Sequence, residues 1–263
     1  MRARKRFGQH FLEPAWADKL VAAIAPQPHQ TFLEIGPGRG AITRLLVARA
    51  ARVVAVEIDR DLAAALRLAL PRVEAHTADI LATDPGTLAL PPGTRVAGNL
   101  PYNISSPILF HLLDAQARTG LFADATLMLQ REVADRLAAG PGTRDYGLLS
   151  VFAALGARVT RVLTLPPGAF RPAPAVSSAV VRLAFLASDE RPLVPESFAR
   201  VVRALFTQRR KTAANGLRRL AGPAASDLLA AAGLDGRRRP ETFSVEELLM
   251  LALAFERRPP AAG

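Results

Sequence analysis

The feature that most constrains the fold is a glycine turn set between a buried strand and a helix. Phe32-Leu33-Glu34-Ile35 is a short apolar run that leads into Gly36-Pro37-Gly38-Arg39-Gly40, and Ala41 to Val47 then takes up helical spacing. Glycine here lets the backbone pass close to a ligand, where a Cβ would clash. The alternation continues downstream. Val53-Val54-Ala55-Val56 reads as a second buried strand closed by Glu57-Ile58-Asp59, and a helix from Asp61 to Leu70 stops at Pro71. Val73 to Thr77 is a third strand with Asp79 just past it, Val96-Ala97-Gly98 a fourth running into Asn99-Leu100-Pro101-Tyr102, and Ala125 to Leu129 a fifth. Strands alternating with helices predict an α/β fold, a Rossmann-like parallel sheet with helices on both faces.

Further along, Arg131 to Ala139 reads as a helix stopped by Gly140-Pro141-Gly142. Val159 to Leu165 and Val176 to Phe185 are β-rich, and the proline-dense segment Pro166 to Pro174 between them is too stiff for a linker and reads as a shaped loop. Ser188-Asp189-Glu190-Arg191-Pro192 has linker composition, and beyond it the pattern is helical: Ser197 to Thr207, Ala224 to Ala232 capped by Gly233, and a helix opened by the capping box Ser244-Val245-Glu246-Glu247. Two domains are expected, an α/β domain over 1–188 and a small all-helical C-terminal domain over 189–263, with a frayed tail from Pro259.

Composition narrows the partners. The chain has 263 residues, half of them hydrophobic, and no cysteine, which excludes disulfides, cysteine-based zinc sites and cysteine nucleophiles. His10, His29, His76 and His111 share no helical spacing, so no metal site is expected. No stretch reaches the roughly 20 apolar residues of a membrane span, and a soluble cytoplasmic protein, acting as a monomer, is the expectation. The net charge of +11 is unevenly placed: residues 1–6 hold four basic and no acidic side chains and residues 191–263 hold 13 and 7, around a nearly neutral middle. Only Lys5, Lys19 and Lys211 are lysines. Arginine-dominated charge gathered at two ends suits a nucleic-acid backbone, whereas codon preference alone explains the arginine-to-lysine ratio but not its placement.

The glycine turn is chemically ambiguous by itself. Gly36, Gly38 and Ala41 satisfy the loose dinucleotide fingerprint, and Glu57, 21 residues past Gly36, stands where a carboxylate accepts ribose hydroxyls. An NAD site therefore stays open on these residues. Glu34 before the first glycine, and Asp79, placed to accept from an adenine amine unless it merely caps a helix, tilt the reading toward S-adenosylmethionine.

Asn99-Leu100-Pro101-Tyr102 falls at a strand end beside the glycine turn, the edge where parallel sheets bind ligands. An exocyclic adenine amine is a poor nucleophile because its lone pair is delocalised into the ring. Two acceptors, the Asn99 side-chain oxygen and the Leu100 carbonyl, would bind its hydrogens and favour pyramidal nitrogen. Pro101 stiffens the turn, and Tyr102 offers a face to the base. No general base is evident.

With these motifs placed, the chain resembles the ribosomal RNA adenine dimethyltransferase family nearly end to end. The resemblance is carried by Arg4 to Leu12, Glu34 to Gly40, Asn99 to Ser105, Met128 to Val133, Tyr146 to Ser150, Pro166 to Val181 and Phe206 to Thr212. It implies a Rossmann-like S-adenosylmethionine methyltransferase fold, no metal, and S-adenosylhomocysteine as product. It implies cofactor contacts from His10 and Leu12, with His10 standing where asparagine is often found, and from Gly36, Gly38, Glu57, Asp79 and Asn99. It implies that Tyr102 and Phe170 sandwich the target adenine, and that Arg4, Lys5, Arg6, Arg209, Arg210 and Lys211 hold RNA. The substrate it implies is 16S rRNA in an immature small subunit, dimethylated at N6 of two adjacent adenosines in a hairpin near its 3′ end. The competing readings are a non-catalytic rRNA-binding assembly factor, a large-subunit rRNA adenine methyltransferase and an NAD-dependent oxidoreductase.

Overall fold

In the computed structural model, which describes residues 10–208 and 210–258, the glycine turn lies where the sequence predicts it, between an interior strand of a sheet and the helix that follows. The chain runs β1 (Phe11–Leu12), α1 (Pro14–Ile24), β2 (Thr31–Ile35), α2 (Ala41–Val47), β3 (Arg52–Glu57), α3 (Arg60–Ala69), β4 (Val73–Thr77), β5 (Thr94–Asn99), α4 (Ser105–Thr119) and β6 (Phe122–Gln130). It continues through α5 (Arg131–Leu137), α6 (Leu148–Ala154), β7 (Ala157–Leu165), β8 (Phe170–Arg171) and β9 (Ser178–Phe185), and then α7 (Phe198–Thr207), α8 (Ala213–Ala221), α9 (Ala225–Ala231) and α10 (Val245–Glu256).

Seven strands form one sheet in the order β4-β3-β2-β5-β6-β9-β7. The first five are parallel, and β9 is antiparallel to both its neighbours. Helices of the same unit lie on both faces of this sheet. Phe32, Val53, Ala97, Met128 and Val180 form one core with Leu20, Ile24, Ile42 and Leu46 of α1 and α2. The alternate residues Leu33, Val54, Val96 and Leu127 point to the opposite face and are as fully buried. Between β2 and β5 the strand order reverses, which opens a crevice at the carboxyl ends of the strands. The two strands are close there: a Cβ on Gly98 would lie 2.6 Å from the Ile35 carbonyl oxygen.

The chain divides into two compact units, 1–135 with 156–189, and 136–155 with 190–263. This corrects the single cut expected at 188/189. Residues 136–155 belong with the C-terminal helices because Tyr146 and Val151 are buried in a core with Phe198, Leu205, Leu217, Phe243 and Leu251. Tyr146 is hydrophobic in all but its hydroxyl, so a sequence pattern alone assigns it to neither unit. The predicted capping box forms at α10: Ser244 Oγ accepts from Glu247 N at 3.2 Å, and Ser244 N donates to Glu247 Oε2 at 2.8 Å. Among the described residues no helix is long and apolar enough to cross a membrane.

Candidate active site

A cavity of about 490 Å³ occupies the crevice of the first unit, and the strand ends supply its polar lining. Gly36 and Gly38 follow β2 with φ of 66° and 58°, a left-handed backbone that favours glycine. A Cβ on Gly38 would press on the Phe11 ring at 3.4 Å. Glu57 closes β3 and holds the turn, Oε2 accepting from Gly38 N at 3.0 Å and Oε1 from Asp59 N at 2.9 Å. Burial raises its pKa, partly offset by these two amides. The Ile58 amide adds to them, and of the four lone pairs on the two oxygens at least one remains for a ligand. Asp79, past β4, caps a short turn through Oδ1 to Leu81 N at 2.9 Å, a local capping role, while also lining the cavity.

At the end of β5, Asn99 Nδ2 donates to the main-chain carbonyl of His10 at 2.8 Å, and Leu100 N donates to Met128 O at 3.1 Å. Tyr102 is held by a hydroxyl–hydroxyl hydrogen bond to Ser178, and desolvation raises its pKa, so the phenol is neutral. The His10 imidazole stacks on the Tyr102 ring, centroids 5.3 Å apart and planes at 26°, and its Nδ1 is 2.8 Å from the Pro172 carbonyl oxygen.

His10, Leu12, Gly36, Gly38, Glu57, Asp79, Asn99, Leu100, Pro101 and Tyr102 all line this one cavity. Phe170 does not. It is fully buried beside Leu12, Leu165 and Val180, because β8 pairs antiparallel with β1 and sets Phe170 opposite Leu12, facing the core. The structure therefore does not bring Phe170 to the cavity wall beside Tyr102, and the His10 imidazole lies against the Tyr102 ring. Arg4, Lys5, Arg6 and Arg209 lie outside the described residues; Arg210 and Lys211 are exposed in the turn between α7 and α8 rather than on a helix. Ile58, Phe11 and Arg171 line the cavity without having been singled out from the sequence. For Ile58 a signal existed in the sequence, an apolar residue directly after the strand-end acid Glu57; the fold leaves it 43 % exposed. For the other two there was none: β1 and β8 are two-residue strands that meet only across the folded chain. Among the described residues no group of three acids or histidines could hold a metal ion.

A doubly wound sheet whose last strand pair is antiparallel, with a glycine-lined cavity at its switch point and Asn-Leu-Pro-Tyr at the rim, is a Rossmann-like methyltransferase. More narrowly, the chain belongs to the ribosomal RNA adenine dimethylase family, whose profile matches residues 1–256. It is 46 % identical to the "Ribosomal RNA small subunit methyltransferase A" of Aromatoleum aromaticum, over 99 % of this chain and 97 % of the relative. It is 47 % identical to the protein of the same name from Nitrosococcus oceani, over 95 % of each. Among solved structures, a dimethyladenosine transferase from Plasmodium falciparum superposes with a TM-score of 0.77 at 25 % identity, covering 94 % of this chain and 98 % of that one. The 23S rRNA methyltransferase ErmE superposes with a TM-score of 0.67 at 28 % identity, covering 94 % and 100 %.

Proposed function

We propose that the cavity holds S-adenosylmethionine and that the protein is an S-adenosylmethionine-dependent dimethyltransferase acting on N6 of adenosine in 16S rRNA. Family membership supports the reaction type; the higher identity to small-subunit relatives than to ErmE supports the small-subunit substrate over the large-subunit one. The finer assignment is two adjacent adenosines in a hairpin near the 3′ end, modified in an immature subunit by a cytoplasmic monomer.

The lining fits the donor. Gly36 and Gly38 leave room at the turn, Glu57 retains at least one lone pair for a ribose hydroxyl, Asp79 borders the place for the adenine amine, and Ile58 offers an apolar wall for the adenine face. When bound, S-adenosylmethionine supplies a methyl group on a sulfonium, a leaving group that needs no activation by the protein. What the chain's own residues must supply is alignment and acceptors for the amine. With Nδ2 committed to the His10 carbonyl, Asn99 keeps Oδ1 as an acceptor for one amine hydrogen, and the Leu100 carbonyl accepts the other. Tyr102, fixed through Ser178, presents its ring to the base, which takes the place of the His10 imidazole. The exposed Arg210 and Lys211 of the second unit bind RNA phosphates.

The observation that carries the reading is the Asn99-Leu100-Pro101-Tyr102 turn lining the same cavity as the glycine turn and Glu57. Purified protein with tritiated S-adenosylmethionine is expected to label small subunits that lack the modification, giving N6,N6-dimethyladenosine on digestion. Asn99→Ala is expected to lower turnover about 100-fold or more, in the range for removing a preorganised transition-state hydrogen bond, while subunit affinity changes little. Tight subunit binding without label would overturn the catalytic reading in favour of an assembly factor.

A further inference from the structure

One face of the Tyr102 ring is covered by another ring of the same chain. The His10 imidazole lies on it in a stacked arrangement, centroids 5.3 Å apart and planes at 26°. An imidazole is planar and aromatic, and the same five-membered ring forms one half of a purine. The surroundings of this ring are firmly held. Asn99 Nδ2 donates to the His10 main-chain carbonyl at 2.8 Å. Phe11, the next residue, pairs with Arg171 in the β1–β8 ladder. The Tyr102 hydroxyl is bonded to that of Ser178, at the start of β9.

The imidazole itself is held more lightly. Among the described residues its ring makes one hydrogen bond, Nδ1–H donating to the Pro172 carbonyl at 2.8 Å in an exposed position. Water replaces such a bond at little cost. His10 is partly exposed, so rotation about its Cα–Cβ bond carries the ring away from Tyr102 while the main chain stays on Asn99. The magnitudes set the direction of exchange. An aromatic side-chain pair is favoured roughly 2- to 12-fold by its ring contact. A nucleobase on an aromatic side chain is favoured roughly 5- to 140-fold. A base therefore outcompetes the imidazole for Tyr102, but against a resistance that the imidazole sets.

Resting on the reading of Tyr102 as the base platform, we propose that the His10 side chain is an intramolecular stand-in for the target adenine, a gate that covers Tyr102 until the base displaces it. His10 touches no reacting atom in this scheme. The gate fixes the fraction of molecules whose platform is open, and the apparent affinity for an incoming base falls by that fraction. The donor side of the cavity is unaffected, because the neighbours of the ring are Tyr102 and Pro172.

The test is steady-state methylation of unmodified small subunits by the full chain, with S-adenosylhomocysteine affinity measured alongside. His10→Ala and His10→Gln both remove the stacked ring. Each is expected to raise kcat/KM for subunits about fivefold, the scale of one aromatic stack, with S-adenosylhomocysteine affinity within about twofold of the wild type. A residue needed only for structure would lower kcat/KM when replaced. Histidine NMR reads the ring directly. The His10 ring protons, assigned from their disappearance in His10→Gln, should be shielded by the Tyr102 ring current, lose that shielding in Tyr102→Ala, and keep it when S-adenosylhomocysteine is bound. An unchanged or lower kcat/KM in both His10 variants overturns the proposal. So does loss of the shielding on S-adenosylhomocysteine binding, which would assign the ring to the donor site. Tyr102→Ala in the kinetic assay separates the two layers: full methyl transfer by that variant sinks the base-platform reading, whereas its loss beside an unchanged kcat/KM in both His10 variants sinks the gate alone.

Discussion

Glu34 is fully buried under the first turn of α2, and neither of its carboxyl oxygens has a hydrogen-bond partner. The Thr43 hydroxyl, equally buried and without a well-formed hydrogen bond, lowers the carboxyl's pKa but does not offset its burial. Desolvation dominates, Glu57 adds repulsion, and the pKa rises from 4.5 to about 8. At neutral pH the folded protein therefore holds this carboxyl protonated. Between 4.5 and about 8 the folded chain binds a proton that the unfolded chain has released, so stability falls as pH rises through that window, by up to about 1.4 kcal/mol per pH unit. Below the window both states are protonated and above it both are ionised, so the slope vanishes. Glu34→Gln is isosteric and cannot ionise. Thermal unfolding followed across pH 4.5 to 8 should show the wild type losing stability relative to the variant as pH rises. A constant difference between the two would mean that Glu34 is hydrated and ionised in the folded state.

At the scale of elements, one buried ion pair ties together segments that sequence periodicity treats separately. Arg95 on β5 meets Asp124, its register partner on β6, with Nε–Oδ1 at 2.9 Å and Nη2–Oδ2 at 2.8 Å. The same guanidinium donates to the Ile24 carbonyl at the end of α1 at 2.8 Å and to Gln30 Oε1 at 3.0 Å. A cation at a helix C-terminus satisfies carbonyls that the helix leaves unpaired. Asp124→Ala leaves this charge without its counterion in a nearly dry site and should cost about 2–4 kcal/mol, read as a lower Tm, with Asp124→Asn losing less. An unchanged Tm would mean that Arg182, 3.9 Å from Asp124, and the carbonyls suffice without the carboxylate. The pair also marks where sequence reading stops. Strands β2 to β6 and helices α2 and α3 were legible because glycines, prolines and strand-end acids punctuate short apolar runs, and the polar rim of the cavity followed from those same strand ends. Helices α1, α4, α6 and α8 lack such punctuation. α4 begins at Ser105-Ser106-Pro107, directly after the Asn-Leu-Pro-Tyr turn, where a helix start resembles a continuing loop. The β1–β8 pairing, which buries Phe170 and brings His10 onto Tyr102, joins residues about 160 positions apart and leaves no local trace.

For the molecule as a whole, the excess of positive charge has to be divided between side chains that hold the protein together and side chains left for a partner. In the second unit Arg238 belongs to the first group: it pairs with Glu247 at 2.5 Å, donates to the Thr242 carbonyl at 2.7 Å and lies over the Phe243 ring at 4.5 Å. Arg237 and Arg239 also have acids close by, Asp235 at 3.1 Å and Glu241 at 4.0 Å. Arg210 and Lys211, exposed in the turn between α7 and α8, belong to the second. Charges of the two kinds should separate experimentally. Replacing Arg210 and Lys211 by alanine should weaken binding of unmodified small subunits and reduce the steepness of its log–log salt dependence by about 0.7 for each phosphate no longer neutralised, with Tm unchanged. Arg238→Ala should do the reverse, lowering Tm while leaving the salt slope alone. An unaltered slope in the Arg210 and Lys211 variant would take those side chains off the RNA and leave the basic residues 2–6 as the carriers of the electrostatic attraction. A shallower slope fixes the turn between α7 and α8 as the part of the second unit that faces phosphate.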